Sequence, residues 1–166
     1  MAAKTTLLSL LLVLTMGLVG CSSDSDKNAQ GDSMIEDATK NVNLELNGSS
    51  DDGSAGPLQT VFFAYDSSSL SEAARSTLED NAKWLKLSEA VDIQIEGHCD
   101  ERGGQQYNLA LGERRARAVR DYLVALGVSE ARVSVISYGK EKPVAFGHDD
   151  ESWSRNRRAN FVITAK

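Results

Sequence analysis

The stretch AVDIQIEGHCDERGGQQYNLALGERRARAV, residues 90–119, changes its period twice. Val91, Ile93 and Ile95 alternate with Asp92, Gln94 and Glu96, which is the pattern of a strand with one buried face. DERGG breaks the alternation, and Gly103-Gly104 supplies a turn. Leu109, Gly112, Ala116 and Val119 then recur at helical spacing, continued by Leu123 and Leu126 until Gly127 stops the run. A half-buried strand, a short loop and a long amphipathic helix follow one another, and the chain on either side repeats that alternation.

Upstream, QTVFFAY (59–65) is rich in β-formers and ends in the polar turn DSSS. Leu70, Ala74, Leu78, Ala82 and Leu85 predict a helix, and Ser69-Leu70-Ser71-Glu72 has the form of a capping box at its start. Downstream, RVSVISYG (132–139) reads as a strand, KEKP as a turn, DDESWSRN (149–156) as a short helix and RRANFVITA (157–165) as a last strand. The order is β-α-β-α-β-(α)-β without internal repeat. It predicts an α+β fold, a two-layer α/β sandwich in which two helices cover one face of a mixed four-stranded sheet.

The chain has 166 residues, and its first twenty read as a leader rather than as part of that fold. Lys4 precedes an apolar run from Leu7 to Gly20, too short for the roughly 20 residues of a membrane span. Leu18-Val19-Gly20-Cys21 has the form of a lipobox and resembles the processing site of bacterial lipoproteins. The sulfur of Cys21 would accept a diacylglyceryl group, and its freed amine a further acyl chain. Two or more chains anchor stably where one alone is marginal. Lipidation of Cys21 leaves Cys99 without a disulfide partner, so the core must hold without one. Residues 21–57 are rich in Ser, Asp, Asn and Gly and predict a disordered acidic linker, with MIEDATKNVNLEL (34–46) as its least polar part and, as the alternative reading, a weak helix or docking segment. From Ser22 to Pro57 eight acids face two lysines. From Leu58 to Lys166 sixteen acids face fifteen bases, so the folded part, expected over 58–166, is nearly neutral. That balance lacks the basic footprint of nucleic-acid binding.

His98, Cys99, Asp100 and Glu101 all carry metal-ligand atoms, but along a strand only His98 and Asp100 share a face, and the one other histidine is His148. The spacing is not that of a structural zinc site. Cys99 has no base beside it on its own face, and reads as a small residue at a strand end. Asp100 and Glu101 read more readily as loop acids beside Arg102 than as a hydrolytic pair. On a wheel of the second helix, Arg114 and Arg117 point to solvent, while Arg115 and Arg120 lie about 70° from the stripe centre, on its borders. Arg115 lies near the helix start, beside the DERGG loop. Asp100 and Arg115 therefore either form an internal salt bridge or flank a small pocket whose opposite charges suit a zwitterion. The partial positive charge of the helix N-terminus would favour the ligand's carboxylate. Spacing alone leaves the two readings open.

EGHCDERG, YNLALGERRARAV, SYGKEKP, GHDDE and NRR stand in this chain in the order found in the OmpA-like C-terminal domains carried by envelope lipoproteins. The resemblance covers roughly Gln59 to Thr164, with Cys99 where a small Ala or Thr is usual. It implies non-covalent binding of the peptidoglycan stem peptide through meso-diaminopimelate. Asp100 and Arg115 would engage the free amino-acid end of that residue, and Asp66 would line the same pocket. Asn156, Arg157 and Arg158 match a motif whose role reads as scaffolding. The resemblance also implies the Tol envelope system, with a TolB-type periplasmic propeller as partner, and an outer-membrane lipid anchor facing the periplasm. Ser22 is not the Asp that signals inner-membrane retention. No catalysis, metal or cofactor is implied. The alternatives are a wall anchor outside the Tol system and a peptidoglycan hydrolase.

Overall fold

The computed structural model describes residues 44–166. The expected leader, the acylation site Cys21 and the linker as far as residue 43 lie outside the described residues. Four strands, β1 (Val61–Phe62), β2 (Asp92–His98), β3 (Val133–Gly139) and β4 (Arg158–Ala165), form one sheet in the order β1-β4-β2-β3. Three helices, α1 (Glu72–Leu87), α2 (Gln105–Ala125) and α3 (Asp150–Asn156), and a 3₁₀ turn at Glu130–Arg132 connect them. The sheet is mixed: β4 runs antiparallel to both β1 and β2, and β2 runs parallel to β3. Parallel strands cannot be joined by a hairpin and need a long crossover, which is what α1 provides from β1 to β2 and α2 from β2 to β3. The expected two-layer α+β architecture is present.

The periodicities select the buried faces. Ile93 and Ile95 of β2 are buried with Phe161 and Ile163 of β4, and they meet Leu78, Ala82 and Leu85 of α1 and Ala116, Val119 and Leu123 of α2. At Gly97 and Gly112 the α2 backbone lies directly on β2. A Cβ on Gly97 would run into the Gly112 carbonyl, so both positions must be glycine for this spacing. That close approach places the first turns of α2 over the end of β2.

Three expectations change. The first strand pairs over only Val61–Phe62. The α1 cap is Ser71, whose hydroxyl accepts from the Ala74 N–H at 3.1 Å, two residues after Ser69, the expected cap of the box. The largest change concerns residues 44–57, expected in the disordered linker. They lie along the β4 edge that β1 leaves free. The Asn47 N–H donates to the Ile163 carbonyl, the Ile163 N–H to Gly48 and the Ser50 N–H to Phe161, each within 3.0 Å. The Ser49 and Ser50 hydroxyls donate to the Asn160 side chain, and Ala55 is fully buried. A polar composition is no obstacle here, because backbone groups make the ladder. The segment thereby covers an edge otherwise open to pairing with another chain. Arg158 locks it in place, donating from Nε to Asp51 at 2.7 Å while only 3% exposed.

Candidate functional site

Since β1 and β2 both run against β4, their carboxyl ends open on the same side as the first residues of β4. Three stretches meet there: residues 63–67 after β1, the loop 99–104 after β2, and Arg157 just before β4. The first two turns of α2 close the fourth side. Between them lies a cavity of about 90 Å³, lined by Tyr65, Asp66, Asp100, Arg102, Tyr107 and Arg115 among others. It is smaller than the roughly 150 Å³ of a cavity that takes up benzene. It suits a small polar head group. Asp66, Asp100 and Arg115, the three residues expected to bind ligand, all line it.

Arg115 differs from its expected setting. It is not a half-buried border residue but fully buried. The helical stripe reaches farther than the wheel placed it, because Leu111, left out of the stripe, is also buried and shifts the buried face toward Arg115. Its guanidinium donates from Nε to the Ser67 carbonyl at 2.8 Å, from Nη1 to the His98 carbonyl at 2.8 Å and from Nη2 to the Ala64 carbonyl at 3.0 Å. Phe63 lies under its face, with the guanidinium carbon 5.1 Å from the ring centre. One residue thus fixes the loop after β1 against the end of β2. Among the described residues no carboxylate is bonded to it. Burial pushes its pKa down, yet an arginine stays charged in proteins. A desolvated cation at a cavity wall attracts a ligand carboxylate.

Asp100 is paired, but not with Arg115. Arg102 chelates it: backbone N–H to Oδ1 at 3.1 Å, Nε to Oδ1 at 3.3 Å, and Nη2 to Oδ2 at 2.6 Å. Arg157 adds Nη1 to Oδ2 at 3.3 Å while its Nε holds the Phe63 carbonyl at 3.1 Å. The internal Asp100–Arg115 salt bridge is therefore absent, and the two charges face the cavity separately. Burial raises the Asp100 pKa, but the hydrogen bonds from the Arg102 side chain and backbone and from Arg157 together outweigh it, and the carboxyl sits below its ordinary value. A depressed folded-state pKa adds stability above the unfolded value of about 3.9, lost as pH falls through the folded one. The Tm advantage of wild type over Asp100→Asn should therefore hold at neutral pH and shrink below about pH 4; an advantage unchanged to pH 2.5 would count against this pairing.

The loop carrying Asp100 is held from several sides. Lys140 donates to the carbonyls of Glu101 and Gly103, and Asn108 to that of Arg102. Glu101 accepts from the Trp153 indole at 2.7 Å and contacts His148 at 2.8 Å, which ties α3 to the loop. Arg102 lies between the Tyr65 and Trp153 rings, 4.0 and 4.1 Å from their centres. Asp66 has φ of +52° and accepts from the Tyr107 hydroxyl. The helix α2 starts at Gly104 with no side-chain cap, so its first N–H groups are not claimed by one.

The NRR motif proves to be three separate clamps. Asn156 accepts from the Val144 and Ala145 N–H groups, Arg157 supports Asp100, and Arg158 holds Asp51. Arg102 and Arg157 were not expected at the site. The Asp-x-Arg spacing of Asp100 and Arg102 was a local signal for one. The meeting of Arg157 with Asp100 depends on strand order, which spacing does not encode.

His98 does not line the cavity; Cys99 does, and its sulfur accepts from Arg115 Nη1 at 3.5 Å, but neither side chain adds a charge there. His98 is buried and stacks on Tyr138, with Nε2 at 3.5 Å from Glu96, and burial lowers its pKa. Burial also pushes the Cys99 thiol up, and its sulfur donates to the Asn108 carbonyl at 3.4 Å. A thiol held protonated is a poor nucleophile. Cys99→Ala should leave ligand binding unchanged and cost about 1–2 kcal/mol of stability, in the ordinary range of point substitutions. Denaturant unfolding and sacculus co-sedimentation check both halves.

Comparison with known proteins places these features in a wider group. Residues 62–157 match the model of the OmpA family. All five charged residues lining the cavity, Asp66, Asp100, Arg102, Arg115 and Arg157, fall inside that range. The chain is 46% identical over 157 residues to the peptidoglycan-associated lipoprotein of Pseudomonas aeruginosa, covering 90% of this chain and 92% of that protein. It is 45% identical over 152 residues to the protein of the same name from Rhizobium meliloti, covering 92% and 84%. The crystal structure of the peptidoglycan-associated lipoprotein from Burkholderia pseudomallei superposes with a TM-score of 0.62 at 47% identity, over 65% of this chain and 93% of that one.

Proposed function

The chain belongs to the OmpA family, and from that premise we propose that it is a peptidoglycan-binding lipoprotein that ties the outer membrane to the cell wall. The ligand is the free amino-acid end of meso-diaminopimelate in the stem peptide. One observation carries this reading: a cavity sized for a small head group, with Asp100 on one wall and the uncompensated Arg115 on another. Asp100 takes the ammonium, and Arg115, with the uncapped start of α2, takes the carboxylate. Asp66 contributes a second acid near the ammonium. Acylated Cys21 is the membrane end of the tether, and intact mass of the membrane-extracted protein should show the added acyl chains there.

The similarity to peptidoglycan-associated lipoproteins supports a place in the Tol–Pal system, with a TolB-type propeller as the protein partner. A pull-down with TolB separates this from a wall anchor outside that system. The protein binds rather than catalyses. Among the described residues the two candidates for a hydrolase reading are otherwise engaged: Cys99 is held protonated and Asp100 is committed to two arginines. Incubation with purified meso-diaminopimelate sacculi tests both readings at once. The protein should sediment with the sacculi and release no soluble fragments. Fragment release would indicate a hydrolase, and failure to sediment would remove the wall-binding function.

A further inference from the structure

Resting on that reading, the geometry points to Arg102 as an internal stand-in for the ligand's ammonium: it occupies the acceptors of Asp100 and gives way when a zwitterion binds. A carboxylate offers about four acceptor positions. Asp100 already receives four donors, three from Arg102 and one from Arg157. An ammonium therefore finds no vacant acceptor, and one donor must leave.

The donors differ in how easily they go. The Arg102 backbone N–H is part of the loop. Arg157 is 14% exposed in its side chain and is also bonded to the Phe63 carbonyl. The Arg102 side chain is 30% exposed, and its hydrogen bonds all go to Asp100. It also has a resting place that does not require Asp100. The Tyr65 and Trp153 rings lie 4.0 and 4.1 Å from its guanidinium carbon, and these two cation–π contacts can hold it when it leaves Asp100.

Charge gives the step its selectivity. Three arginines and two aspartates line the cavity, a net charge of about +1. While Arg102 neutralises Asp100, the site presents mainly the charge of Arg115 and takes a carboxylate. Only a ligand that also brings an ammonium replaces Arg102 on the acid. Arg102 is thus a specificity-determining residue that makes a lone carboxylate an incomplete match.

The test is calorimetric titration of the full chain with two synthetic stem peptides. One ends in meso-diaminopimelate, and the other is the same peptide acetylated at the free amine. Arg102→Ala should bind the zwitterion about fivefold more tightly than wild type, the worth of one partly exposed ion pair. It should show no gain for the acetylated peptide. Equal gains for both peptides, or weaker binding of the zwitterion, would overturn the role of Arg102 while leaving the proposed function standing. Wild type that binds neither the zwitterionic peptide nor sacculi would remove that function, and this inference with it. A second readout does not depend on the variant folding. In wild type the Arg102 Nε–H resonance should shift or exchange faster at saturating zwitterion, while that of Arg115 stays protected. An Arg102 signal unchanged at saturation would also overturn the proposal.

Discussion

Asp100→Ala is expected to weaken binding to meso-diaminopimelate sacculi about tenfold while the protein stays folded. The charge-assisted hydrogen bond from the ligand's ammonium is worth roughly 1.5–3 kcal/mol. Displacing Arg102 from the acid takes back a small part of that, since the pair is partly open to solvent. The difference corresponds to about one decade in affinity. The fold should tolerate the loss, because both arginines that Asp100 holds have other support: Arg102 keeps its two aromatic neighbours and Arg157 its bond to Phe63. Arg114→Ala and Arg117→Ala are the controls, since both side chains lie on the exposed face of α2. Co-sedimentation with circular dichroism checks the prediction. Wild-type binding by folded Asp100→Ala would remove the acid from the site.

The second large effect is on stability. Arg115→Ala should cost about 2–4 kcal/mol and also abolish most binding. The loss strands the buried His98 carbonyl, at about 1–3 kcal/mol, leaves the part-buried carbonyls of Ala64 and Ser67 to find water, and opens a cavity over Phe63. Release of a buried, unpaired charge offsets part of that cost. Urea unfolding gives the magnitude. A loss under 1 kcal/mol would mean that the His98 carbonyl also finds water once the arginine is gone. Arg115→Lys keeps the charge but not the planar fork, so it should recover only part of both stability and binding. In stability, Asp100→Ala and Arg115→Ala should combine less than additively, since the two side chains line one cavity and attract each other across it although they share no direct bond. In binding they should also combine less than additively, because both act on one ligand group.

The strand and helix faces were legible where one period runs long enough to average out exceptions. The alternation in 91–96 and the stripe through Ala116, Val119 and Leu123 each name buried residues correctly. Arg115 shows the limit of the method. A stripe drawn through apolar residues omits a buried arginine by construction, and Leu111 was the residue that would have shifted its centre. Docking of residues 44–57 was legible only as the alternative reading of the less polar stretch 34–46, because beyond Leu44 and Ala55 it rests on backbone hydrogen bonds and on Asn160 and Arg158, which leave no apolar pattern. The meeting of Asp100 with Arg115 at one cavity was open on spacing and favoured by resemblance. The separate pairing of Asp100 with Arg102 and Arg157 required coordinates. Arg157 is brought to the site because β4 lies between β1 and β2, an order that no local pattern in the chain records.

The most direct test leaves the protein intact and changes only the ligand. The full chain is titrated with meso-diaminopimelate sacculi and with the same sacculi after amidation of the free diaminopimelate carboxylate. If the buried charge of Arg115 receives that carboxylate, amidation should lower the affinity at least about tenfold, the value of a charge-assisted hydrogen bond. Equal affinity for the two wall preparations would contradict recognition of a zwitterion between Asp100 and Arg115.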